Sequence, residues 1–151
     1  MKQKKLTEAD MKIWRMYKET FKLIFNRILK DSYDATGVSD GDFMVLDLLT
    51  RAGTGGLRQQ ELADKMDWSK SRLSHHLTRM EKRELVEKQS LEKGNAVQVG
   101  LTPKGIAALE AVRPVIANGI KRYFIDLLTD QDRKWIAGLA ARAKEQGNGP
   151  R

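Results

Sequence analysis

The stretch Trp68–Lys88, WSKSRLSHHLTRMEKRELVEK, gathers serines, basic side chains and two adjacent histidines into one amphipathic segment. Two kinds of chemistry suit such a set: a metal site built on imidazoles, or a surface that hydrogen-bonds and neutralises a polyanion. The metal option fails on spacing. His75 and His76 are consecutive, so on a helix they diverge by about 100°, whereas residues four apart share a face and can hold one ion. They are the only histidines, and the chain has no cysteine, which leaves no second imidazole or thiolate for a zinc shell. Neither a metal nor a cofactor is expected.

The polyanion option survives. Leu73, Leu77 and Met80 fall at i, i+4 and i+7 and predict a buried stripe. Rotation away from it places Ser71, His75, Thr78 and Lys82 opposite, with Arg72, Ser74 and Arg79 flanking, so the polar side chains all read as outward. Residues 65–83 carry six basic side chains against Asp67 and Glu81, within a chain of 151 residues and net charge +8. A solvated helix face would look similar, so the surrounding elements have to decide.

Those elements read as six helices and one hairpin. Thr7 with Asp10 predicts a capping box ahead of a long helix bearing Ile13, Trp14, Tyr17, Phe21, Ile24, Phe25 and Ile28. Ser39 with Asp42 opens a second helix, which Gly53 ends. A short third helix spans Leu57 to Met66, Asp67 takes a left-handed turn position, and Ser69 caps the fourth helix. The segments LVEKQ and AVQVGL alternate as hairpin strands, with Gly94-Asn95 supplying the turn. Thr102 and Pro103 launch a fifth helix that runs to Leu127 with a kink at Pro114, and Thr129 with Asp132 caps a sixth carrying Trp135. The fold class is mainly α with a small β-hairpin wing (α+β): a winged helix-turn-helix flanked by N- and C-terminal helices. One structural domain divides into an N-terminal helix (1–36), whose broad apolar stripe suits either core contact within one chain or a dimerisation interface, a winged helix-turn-helix region (37–102), C-terminal helices (103–146) and a disordered tail (147–151).

Catalysis finds no support. There is no nucleophile beside a base, no carboxylate pair in an apolar setting, and the GTGG at 53–56 lacks the Lys-Ser/Thr that a phosphate loop needs. Absence of cysteine excludes disulfides and thiol chemistry. No apolar run approaches the ~18 residues of a membrane span, and the polar opening MKQKKLTEAD lacks a signal-peptide core. A cytoplasmic protein is expected.

LRQQELADKMDWSKSRLSHHLTRMEKRELVEK, a hairpin and then VQVGLTPKG resemble the MarR family of bacterial transcription regulators, from the first helix to the sixth. That resemblance implies a homodimer interlocked through the first, fifth and sixth helices, a fourth helix in the DNA major groove and a wing at the minor groove. It also implies a small aromatic ligand between the dimer helices and the winged unit, here near Tyr17, Phe21, Phe43, Asp47 and Trp68. Two positions depart from the family pattern: Glu84 stands where a glycine is usual, and Lys93-Gly94-Asn95 where the wing tip usually reads Asp-x-Arg.

The residue chemistry points the same way. Lys70, Ser71, Arg72, Ser74 and His75 occupy the N-terminal half of the fourth helix, the half that reaches base edges, with Arg72 suited to a bidentate guanine contact. His76 and Arg79 suit phosphates, and an intrahelical salt bridge is the alternative for Arg79. At the wing, Asn95 offers a neutral amide, and Lys93, or Lys88 lower on the hairpin, the charge. The expected function is a dimeric, sequence-specific DNA-binding transcriptional regulator, a repressor releasable by a small aromatic ligand and bound to a pseudo-palindromic operator. The alternative is a winged-helix module for non-specific DNA binding or protein contacts.

Overall fold

Caps written in the sequence set most of the helix starts. In the computed structural model, which describes residues 5–91 and 96–147, helix α1 (Glu8–Thr36) begins at a complete Thr7/Asp10 capping box and ends at left-handed Gly37. The Ser39/Asp42 box opens α2 (Asp40–Ala52), and Gly53 ends it. Each box satisfies backbone N–H groups that the first helical turn leaves without partners.

The next element differs from expectation. Leu57–Arg58 is not helical but a two-residue strand, β1, paired with the later strand across Leu57↔Val99 and Arg58↔Gln98. Helix α3 therefore starts later and is Gln59–Met66. Strand pairing satisfies backbone groups of Leu57 that a longer helix would have left at its exposed start. Asp67 adopts φ 53°, ψ 43°, and Trp68 N–H donates to the Ala63 carbonyl (3.0 Å), which makes the tight turn into α4 (Lys70–Lys82). Ser69 caps α4 through its side chain, accepting from Arg72 N–H at 3.2 Å.

Strands β2 (Val86–Ser90) and β3 (Val97–Leu101) form the antiparallel hairpin, and β3 lies between β1 and β2 in a three-stranded sheet. The hairpin turn, with Lys93 and Asn95, lies outside the described residues. Helix α5 (Pro103–Tyr123) continues through Pro114 and stops before Phe124. Leu127 thus belongs to a separate 3-10 turn, Ile125–Leu127, rather than to α5 as its spacing suggested. Helix α6 (Asp130–Gly147) follows, with the side chain and backbone of Thr129 both bonded to Asp132.

The core sits inside the winged unit. Val45, Leu46 and Leu49 from α2, Leu62 and Met66 from α3, Leu73, Leu77 and Met80 from α4, and Val99 from β3 are buried together, closed by Leu109 and Val112 of α5. Chain approach is closest at Gly105, where an added β-carbon would lie 2.0 Å from the Leu85 carbonyl oxygen, so only glycine fits. Outside this core the helices are poorly covered: α1 buries only Ile28 and Ser32, and α6 has no buried residue among those described.

Candidate nucleic-acid interface

Helix α4 is pinned by its apolar stripe, and the stripe is wider than its spacing suggested. Leu73, Leu77 and Met80 point inward as expected, but His76 joins them and is buried. This corrects the assignment of His76 to phosphate contact, because its ring is turned away from the outer face and toward α2. Its Nε2 lies 3.0 Å from Asp42 Oδ1, close in distance but off a good hydrogen-bonding line. Arg79 Nη2 donates to its Nδ1 at 3.2 Å, which places the ring proton on Nε2, facing the carboxylate. The ring also meets Trp68 edge-on, centroids 5.3 Å apart at 84°.

Asp42 is the centre of this arrangement, and it is 1% exposed. Besides His76 it receives Arg83 Nη1 at 2.7 Å and Ser39 N–H at 3.0 Å, while Arg83 Nη2 bonds the Gly37 carbonyl at 2.9 Å. Burial pushes its carboxyl pKa up, but the His76 imidazole close beside it, the hydrogen bonds from Arg83 and the Ser39 backbone, and the Arg83 charge outweigh that and hold it well below the usual carboxylate range. The N-terminus of α2 is thus locked to the middle of α4 and to its C-terminal end. Asp42 was legible only as a capping residue, and nothing in the sequence marked Arg83.

Lys70, Ser71, Arg72, Ser74, His75, Thr78, Arg79 and Lys82 are all exposed on the opposite face. Among the described residues, Lys70, Arg72, Arg79 and Lys82 make no ion pair. The alternative considered for Arg79, an intrahelical salt bridge, does not occur among the described residues. Arg72 instead lies over the Trp68 ring, 3.8 Å from its centroid. Arg58, Gln59 and Gln60 at the start of α3 line a groove of about 310 Å³ with Lys70 and with Ala96 and Val97 of the wing. These three polar residues widen the face beyond α4. The sequence reading missed them because it buried Leu57–Met66 in one helix. Lys88, one of the two lysines suggested to anchor the wing, is paired with Glu81 at 3.1 Å and is not free for a phosphate.

The five residues grouped for an aromatic ligand have separate neighbours. Tyr17 stacks on Trp14, and Phe21 on Phe25, along the exposed first half of α1. Phe43 packs on the core, and Asp47 is bridged by Arg51 and Arg113. Trp68 is occupied by Arg72 and His76. Two residues of α5, one of the helices that the resemblance assigns to the dimer, are likewise engaged within the chain: Ile116 packs against the core, and Tyr123 donates its hydroxyl to Asp31 at 2.6 Å, joining α5 to α1.

Comparison with known proteins fits this geometry. Residues 38–100 match a family model described as a domain of unknown function (DUF7343), and no curated protein matches the sequence. Among solved structures, AbsC, a MarR family transcriptional regulator from Streptomyces coelicolor, is 29% identical, with 98% of this chain and 100% of that one covered at a TM-score of 0.80. Sco3205, a MarR family transcriptional regulator from the same organism solved in complex with DNA, is 25% identical over 99% and 93% of the two chains, TM-score 0.81. A MarR-like transcription regulator from Bacillus cereus ATCC 10987 shares the fold at 17% identity, covering 94% of this chain and 100% of its own, TM-score 0.81. The resemblance seen around the fourth helix is borne out over nearly the whole chain. The structures it resembles here are transcriptional regulators.

Proposed function

We propose that this chain, whose winged helix-turn-helix fold is similar to that of MarR family regulators, is a dimeric, sequence-specific DNA-binding regulator that represses by occupying its promoter. The observation that carries the reading is the outer face of α4. Exposed cations that have no carboxylate partner among the described residues share one face of the second helix of the motif with short hydrogen-bonding side chains, and Arg58, Gln59 and Gln60 extend it toward the wing. Such a face matches a major groove flanked by phosphates. In this reading Lys70, Ser71, Arg72, Ser74 and His75 meet bases, Arg79 meets phosphate, and Lys93 and Asn95 meet the minor groove.

Dimerisation is supported by surface that a lone chain leaves wet. Ile13, Trp14, Tyr17 and Phe21 on α1 and Trp135 on α6 are each more than half exposed, and apolar patches of that kind mark association surfaces. No described helix is long and apolar enough to cross a membrane. A two-fold dimer presents two copies of α4, hence two half-sites about one helical turn, ~10 base pairs, apart. The reading includes a small aromatic effector seated beside the first half of α1, supported by the exposed rings of Tyr17 and Phe21; Asp47 and Trp68, already engaged, would have to be released to join it.

Selection from a random duplex pool tests the function. A pseudo-palindrome with that spacing is expected to enrich. Enrichment of no sequence, with all duplexes retained alike, would favour the non-specific module instead.

A further inference from the structure

Trp68 lies in the turn between α3 and α4, and the packing around it fixes the ring. Its backbone N–H is bonded to Ala63, and left-handed Asp67 before it sets the direction in which the side chain leaves the chain. The α2 side is closed: His76 meets the ring edge-on at 5.3 Å, and a β-carbon added at Gly41 would lie 2.9 Å from the indole Cη2. His76 is held in turn by Asp42, and Asp42 by Arg83. Toward solvent, the indole face carries the Arg72 guanidinium at 3.8 Å from the ring centroid.

Arg72 is exposed, has no carboxylate partner among the described residues, and sits in the first turn of α4 with its N–H fixed to Ser69 Oγ. A guanidinium this close over a ring can turn its face to the ring, and its N–H donors, which lie in the guanidinium plane, then remain available at the edge. Stacking also removes rotamer freedom before any partner arrives, which is the usual way a long side chain is made ready for bidentate contact. The first turn of the second helix is where a helix-turn-helix meets base edges.

We infer that Trp68 is a positioning residue for base recognition, presenting Arg72 edge-outward so that sequence preference depends on a ring that acts through Arg72. The inference rests on the DNA-binding reading of α4. It sets Trp68 apart from residues that merely complete the core, because core loss would weaken binding to every duplex alike.

The test uses the full chain, one duplex selected from a random pool by the wild-type protein, and one scrambled duplex of the same composition. Trp68→Leu keeps apolar bulk but removes the aromatic face; Trp68→Phe keeps a smaller face. Trp68→Leu is expected to lose about tenfold in affinity for the selected duplex, which lies within what one good bidentate contact is worth, with scrambled-duplex affinity and salt slope unchanged. Trp68→Phe should fall between it and wild type. In an Arg72→Ala background neither change should cost anything further, since coupled residues are not additive. Equal losses on both duplexes, or losses that add to Arg72→Ala, would overturn the inference while leaving DNA binding intact. If Trp68→Leu does not fold, the Trp68→Phe and Arg72→Ala cycle decides alone. Failure of the wild-type protein to prefer any duplex would overturn the functional reading and this inference together.

Discussion

Asp42→Asn is the substitution whose consequences are best determined by the structure. Asparagine keeps the shape and still accepts from Ser39 N–H, so the cap on α2 survives. What disappears is the charge that faces Arg83 at 2.7 Å and His76 at 3.0 Å. Turned to accept from Arg83, the new amide presents N–H to His76, which must then move its proton to Nδ1 and lose the Arg79 bond. A hydrogen bond to a charged group contributes about 1.5–3 kcal/mol against about 1 for a neutral one. Arg83 is 44% exposed and recovers part of that from water. The expected loss is about 2 kcal/mol at neutral pH, or about 4–8 °C in Tm for a chain of this size, compared at equal protein concentration. The dependence on pH has a definite sign. Because the folded carboxyl titrates below its unfolded value of about 3.9, the stabilisation is complete above that value and fades as pH falls beneath it. Urea unfolding of both proteins at pH 7, 5 and 3.5 should show a gap that holds between 7 and 5 and narrows at 3.5. Equal stability at pH 7, or a gap that widens in acid, would refute the argument.

Three further outcomes follow from particular contacts. Arg72→Ala should relax base preference at one position per half-site, measured by repeating the duplex selection, whereas Arg79→Ala should weaken all duplexes alike and reduce the salt slope by about one. Glu84 holds φ 60° after α4, and its pairing with Lys104 is solvent-exposed; Glu84→Gly should leave stability unchanged or raise it by up to about 1 kcal/mol in urea melts, since left-handed backbone costs a side-chain-bearing residue that much, and a clear loss would show the ion pair to matter more. Trp14→Lys with Trp135→Lys should convert a dimer into a monomer in sedimentation, and a wild-type protein that sediments as a folded monomer at micromolar concentration would remove the dimer reading.

Local signals were the legible part of this fold. Capping residues at Thr7, Ser39, Ser69 and Thr102 and the left-handed Asp67 are decided by a few neighbouring atoms, and each appears where the sequence places it. The inner and outer faces of α4 were legible except at His76. A histidine one step from an exposed histidine turns inward only because a buried carboxylate 34 positions earlier waits for it, and no periodicity records that. Leu57–Arg58 escaped for a similar reason: two residues are too short for a strand pattern, and their pairing depends on Val99 and Gln98 across the sheet. Arg58, Gln59 and Gln60 were lost from the interface with it. The basic face could be read from composition and spacing, but the stacking of Arg72 on Trp68 could not, because α4 geometry alone leaves the arginine free to extend.

The central claim is that α4 reads DNA sequence, and a gel shift against the promoter beside the protein's own gene, run at two salt concentrations with a scrambled duplex alongside, tests it most directly. Affinity for both duplexes should fall at the higher salt, because phosphate contacts release counterions from either. The preference for the promoter should persist, because base contacts by Arg72 and its neighbours carry it. Equal affinity for promoter and scrambled duplex at both salt concentrations, or no shift of either, would contradict the account.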